Sequence, residues 1–157
     1  PKEFIPAIET GIRRTAASGV LAGYPLINVK VSLVDGSYHA VDSSQVAFEQ
    51  AGRLALKDAC AKAGVTLLEP IMKVVVTTPE EYFGSVSGDI ASRRGMIVNQ
   101  EDRGNAKLLY AEVPLAEMFG YTTTLRSMTQ GRGTSTMEPL EYRAMPSNLV
   151  KEVVAAG

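Results

Sequence analysis

The sequence predicts an α+β chain in two parts, and three observations carry that expectation. Apolar residues recur at helical spacing in some stretches and alternate with polar ones in others. The two periods interleave along the chain instead of segregating. Gly, Pro and Asp fall where one period gives way to the other. The chain has 157 residues, enough for one ordinary domain or two small ones. At 45% hydrophobic and 21% charged it can bury a core.

Ile5, Ile8, Ile12 and Ala16 recur at helical spacing, with Pro6 suited to a first turn and Gly19 to a cap. This predicts a helix over Ile5 to Ser18. "AGYP" makes a turn. Ile27, Val29, Val31 and Leu33 then alternate with Asn28, Lys30 and Ser32, the pattern of a half-buried strand ended by Asp35-Gly36. Asp42, with Gln45 three residues on, reads as the N-cap of a long helix running to Ala63. Phe48, Gly52, Ala55 and Ala59 share one face of it, and such small residues suggest close packing against a sheet.

"TLLEP" reads as a short strand broken at Pro70, where the first part ends. Ile71 to Thr78 is β-rich, and Pro79 to Gly95 carries a helix with Val86 and Ile90 inward. Met96 to Gln100 and Ala106 to Val113 are strands joined across "EDRGN". Pro114 to Gln130 is a helix broken at Phe119-Gly120, and Thr134 to Tyr142 is a strand. The order β-α-β-β-α-β is that of a ferredoxin-like sandwich. A last helix, Ser147 to Ala155, carries Leu149, Val150, Val153 and Val154 on one side. The expected domains are therefore residues 1–70 and 71–157, the terminal helix belonging to the second.

Several chemistries are disfavoured at once. No run of about 18 apolar residues exists, so no membrane span is expected. Pro1-Lys2-Glu3 leads straight into an amphipathic segment, without the pattern of a signal peptide. Cys60 has no partner cysteine, reads as a buried thiol and fits a reducing compartment. One Cys and one His cannot make a four-ligand zinc site. Sixteen Lys and Arg face 17 Asp and Glu, so contacts to nucleic acid would have to be local. No P-loop, H-E-x-x-H, C-x-x-C or G-x-S-x-G motif occurs, and "GRG" at Gly131 to Gly133 reads as a turn.

The single histidine, His39, lies in "VDGSYHAVDSS". Ser37 or Ser43 as nucleophile and Asp35 or Asp42 as orienter would complete a triad by residue type. All of them crowd onto one loop, whereas triads converge from separate rigid elements. An exposed His39 leaves two other readings. Tyr38 and His39 can stack on unpaired bases while hydroxyls bond phosphates, or the loop is an ordinary solvated connection. No apolar residue anchors the turn in this reading. Arg93 and Arg94 could bind phosphate or serve a helix C-terminus. Arg126 and Arg132 flank "SMTQG" on a polar, basic surface fit for RNA or a protein partner. Tyr110, Met118, Phe119 and Tyr121 read as core, and "AKLLYAEV" lacks the aromatic motif of RRM-type RNA binders.

Three long strings carry a resemblance: "AGYPLINVKVSLVDGSYHAVDSSQVAFEQAG", "LLEPIMKVVVTTPEEYFGSVSGDIASRRG" and "AEVPLAEMFGYTTTLRSMTQGRGTSTMEPLEY". Taken together they resemble the carboxy-terminal part of the bacterial translation elongation factor G family, over essentially the whole chain. The resemblance implies a ribosomal-protein-S5-domain-2-like α/β domain followed by the ferredoxin-like βαββαβ sandwich. The first would be most of a tip domain that mimics a tRNA anticodon arm, lacking its N-terminal strand. The loop of Gly36, Ser37, Tyr38, His39, Ala40, Val41, Asp42 and Ser43 would reach the decoding region, with His39 at its tip. Arg93, Arg94, Arg126 and Arg132 would be candidate contacts to ribosomal RNA or protein.

The resemblance further implies a cytoplasmic, monomeric fragment, itself no enzyme, with no catalytic residue and no metal. GTP and Mg would belong to a nucleotide-binding domain outside it. Its partners would be the ribosome, through ribosomal RNA, the tRNA–mRNA duplex and ribosomal proteins, and no membrane. A tetracycline-resistance protection factor, a mitochondrial elongation factor and, from another class, a ferredoxin-like small-molecule regulatory module remain as alternatives. The intact "DGSYHAVDSS" favours translocation among them.

Overall fold

Strand alternation and helix period translate into nine main elements, which a computed structural model describes over residues 1–156. They are α1 (Ile5–Ser18), α2 (Gln45–Ala63), β1 (Leu68–Pro79), α3 (Phe83–Ser92), β2 (Met96–Arg103), β3 (Ala106–Pro114), α4 (Tyr121–Thr129), β4 (Thr134–Ala144) and α5 (Ser147–Ala156). The chain divides into two compact units, Leu68–Met145 and the remainder. By this division the terminal helix α5 falls in the first unit.

In the second unit the four strands form one antiparallel sheet in the order β2-β3-β1-β4. With α3 and α4 this is the expected ferredoxin-like arrangement. Alternation along β1 sends Met72, Val74 and Val76 into the core, opposite Val113, Ala111 and Leu109 of β3. Val86 and Ile90 of α3 and Tyr121 and Leu125 of α4 cover them, each at four-residue spacing on its own helix. Phe119, read from sequence as core, is instead 81% exposed. It stands at the break before α4, where Gly120 takes a left-handed conformation.

Pro70 does not break the strand. β1 runs through it, and Pro70 pairs only with Tyr142 of β4, because the β3 ladder begins at Ile71. With one side of the strand unpaired there, a residue lacking an N–H is tolerated. The β2–β3 hairpin is tighter than "EDRGN" implied: pairing continues to Arg103 and Ala106, leaving Gly104 and Asn105 as the turn.

The first unit departs further from expectation. Gly11 of α1 lies against the backbone of Glu49, and Gly52 of α2 against that of Ile8, so the two helices meet at their glycines. Of the small residues on that face of α2, Gly52 serves helix-on-helix packing, while Ala55 and Ala59 are exposed. Ser44, not Asp42, caps α2: its Oγ accepts the N–H of Ala47 at 3.1 Å. Residues 27–33 form no strand. Asn28 takes a left-handed backbone, φ 57°, and Ile27, Val29, Val31 and Leu33 are about half exposed. Alternation supplies a strand with an apolar face, but a strand exists only where a neighbour accepts and donates its backbone hydrogen bonds. Among the described residues none does so for this segment. A groove lined by Ile5, Ile8, Ile12, Val29, Val31 and Leu33 lies between it and α1.

Candidate nucleic-acid interface

The loop carrying His39 is built from its two ends. At its base the N–H of Leu26 donates to the carbonyl of Ala16 on α1 at 2.8 Å. At its far end the carbonyl of His39 accepts the N–H groups of Asp42 (3.2 Å) and Ser43 (2.9 Å). The Ser43 Oγ accepts the N–H of His39 at 3.0 Å in return. This closes a small ring from His39 to Ser43, and the next residue, Ser44, starts α2. The turn is therefore stiffened by its own hydrogen bonds.

The side chains on this ring face solvent. His39 is exposed, as are Gly36, Ser37, Tyr38, Val41 and Asp42; Ser43 is half-buried. Val41 is 92% exposed, an apolar group projecting from the tip with nothing covering it. The loop does not assemble a triad. Ser43 Oγ meets the backbone N–H of His39, and the Asp35 carboxylate accepts the N–H of Gly36 at 2.8 Å.

The expectation that no apolar residue anchors the turn is overturned. Phe4, just before α1, stacks on Phe48 of α2 with ring centroids 4.5 Å apart and planes at 18°. Tyr38 lies on Phe4 at 6.0 Å and 30°. Phe4 was missed because its contact with Tyr38 crosses more than thirty residues of chain, and no local pattern marks it.

The basic candidates divide in two. Arg93 and Arg94 follow α3 and are turned inward. Arg93 Nε bonds Asp89 at 2.9 Å, and its Nη1 donates to the carbonyl of Glu117 at 2.6 Å. Its guanidinium also lies 5.0 Å from the centre of the Tyr121 ring. Arg94 holds Glu69 with two bonds of 2.9 Å and Glu117 with one of 3.1 Å. The hydrogen bonds that Arg94 donates to Glu69 raise its pKa above the ordinary value, against the opposing effect of burial, with Glu117 adding to the rise.

Arg94 also holds a left-handed backbone, φ 58°, that a glycine would ordinarily supply at a helix end. Gly95 is needed for space instead: a Cβ there would stand 2.7 Å from the carbonyl oxygen of Ile90. Arg126 and Arg132 remain outward. Both are exposed, Arg132 in an ion pair with Glu81 at 2.8 Å. Residues 118–137 around them contain neither Asp nor Glu. Among the described residues, no helix is long and apolar enough to cross a membrane.

Known proteins match nearly the whole chain. The family model described as "Elongation factor G, domain IV" matches residues 1–64, and "Elongation factor G C-terminus" matches residues 66–153. Elongation factor G of Aquifex pyrophilus is 55% identical over 154 residues, 98% of this chain and 22% of that protein. A crystal structure of a protein from Thermus thermophilus is similar with a TM-score of 0.79 and 42% identity, over 99% of this chain and 24% of that one. The chain thus spans about a quarter or less of the length of the proteins it matches.

Proposed function

The chain belongs to the elongation factor G family, and from that premise we propose that it is the ribosome-contacting end of a translocation factor. In this reading the loop from Gly36 to Ser43 enters the decoding region as tRNA and mRNA move, and His39 meets the codon–anticodon duplex. The work is mechanical. A stiff tip occupies the space the tRNA leaves, weakens its hold and blocks its return. GTP binding and hydrolysis, with Mg, belong to another part of the complete factor. That factor acts as a cytoplasmic monomer.

The observation that carries the reading is the prefolded ring from His39 to Ser43, which presents exposed side chains ahead of α2. A wedge must hold its shape against a partner, and a loop stiffened in advance loses less freedom on contact. His39 can hydrogen-bond to backbone phosphates or 2′-hydroxyls, and Tyr38 can stack. Arg126 and Arg132 are the stronger candidates for ribosomal RNA, since Arg93 and Arg94 spend their donors within the chain.

The test uses a complete factor in which these residues form the carboxy-terminal part. His39→Ala should slow single-round translocation at least tenfold, about 1.4 kcal/mol in the barrier, with GTP hydrolysis unchanged. Equal translocation rates for the variant and the parent would remove His39 from the mechanism.

A further inference from the structure

We infer that Phe4 and Phe48 are positioning residues for the tip loop: their stack holds Tyr38 and through it sets where His39 is presented. This rests on the reading of the loop as the part that meets nucleic acid. It adds two residues that never touch the partner.

Residues 27–38 make no backbone hydrogen bond to any other element among the described residues. The chain is tied at Leu26 below and at the His39–Ser43 ring above. That ring is closed on itself, so it fixes the shape of the tip but not its direction. Direction needs a lateral tie to the helical pair. Tyr38, one residue before His39, supplies it through Phe4. Phe4 is in turn pinned by Phe48, one turn into α2.

Both phenylalanines are part-buried, whereas Tyr38 is 47% exposed. The ring that bears on the loop is therefore the supported one. Aromatic rings suit this task because two torsions place a large flat surface, so little freedom is left once one face is covered. The three rings come from the start of α1, the loop and the first turns of α2. A shift of α1 against α2 would move Phe4 and carry the tip with it.

The experiment compares Phe4→Ala, Phe4→Tyr, Phe48→Leu, Tyr38→Ala, His39→Ala and the double variant Phe4→Ala/Tyr38→Ala in the complete factor. Single-round translocation, GTP hydrolysis and melting temperature are measured for each. Phe4→Ala should slow translocation fivefold or more with hydrolysis within twofold of the parent. Phe4→Tyr, which keeps the ring, should translocate normally.

The double variant should be no slower than Tyr38→Ala alone, because Phe4 acts through Tyr38. A merely structural role would instead add the two losses, and that result overturns the inference. If Phe4→Ala does not fold, Phe48→Leu carries the test, since it keeps an apolar side chain on α2 and removes the ring. Parental translocation in Phe48→Leu would overturn the inference as well. Slow His39→Ala with normal Phe4→Ala sinks the positioning role alone; normal rates in both sink the reading of the loop itself.

Discussion

Arg94 grips Glu69 with both arms of its guanidinium, Nη1 to Oε1 and Nη2 to Oε2, each at 2.9 Å. The Glu69 side chain is 5% exposed, so this arginine is what allows a carboxylate to lie at the start of β1. Removing it strands a buried charge. Arg94→Ala should destabilise the unit by about 3 kcal/mol. Arg94→Lys, a single point contact in place of a planar fork, should cost about 1 kcal/mol. Urea dependence of hydrogen exchange in β1 and α3 measures both. A loss well under 1 kcal/mol in Arg94→Ala would mean that the pair adds nothing to stability.

Gly52 separates two effects that usually travel together. Alanine is favoured over glycine within a helix by about 1 kcal/mol. At Gly52 the added Cβ would stand 2.6 Å from the Ile8 carbonyl oxygen and 3.3 Å from the Ile8 Cα, forcing α1 and α2 apart. Gly52→Ala should therefore destabilise the first unit by about 2 kcal/mol despite the better propensity. Gly88, on α3, has nothing within 4 Å of its Cβ direction, and Gly88→Ala should raise the stability of its unit. Thermal unfolding of the two variants checks the pair, and a stabilised Gly52→Ala would contradict the helix contact.

Tyr121 makes the second unit sensitive to alkali. Burial pushes its hydroxyl up to about 12 from 10.0, with Asp89 adding to the rise and Arg93 opposing it. The folded state thus keeps a proton that the unfolded chain loses first. The contribution is whole below pH 10.0 and falls away as pH climbs towards 12. About 2 kcal/mol is at stake over that interval. Its hydroxyl has no hydrogen-bond partner among the described residues. Tyr121→Phe should therefore be near neutral at pH 7 and flatten the alkaline fall, as read from urea midpoints between pH 9 and 12. An unchanged slope in Tyr121→Phe would assign the fall to other groups.

What the sequence determined by itself is the local order. The span of α1, the inward pair Val86 and Ile90, the break at Phe119-Gly120 and the βαββαβ succession all follow from periods and turn residues within a few positions of one another. The loop around His39 was visible in the same way, as the chain's one histidine among turn-forming residues.

Tertiary structure decided the rest, because the deciding partners lie far along the chain. Arg93 and Arg94 looked equally fit for phosphate or for a helix end, until Glu69, 25 residues away, and the Glu117 carbonyl took up their donors. Residues 27–33 have a strand's alternation, yet alternation describes side chains while a strand is made by a neighbour's backbone. Tyr38 had no visible anchor because Phe4 reaches it only once α1 and α2 have packed glycine to backbone. Period and turn chemistry act over neighbouring residues; ion pairs, ladders and ring stacks depend on which distant segments the fold brings together.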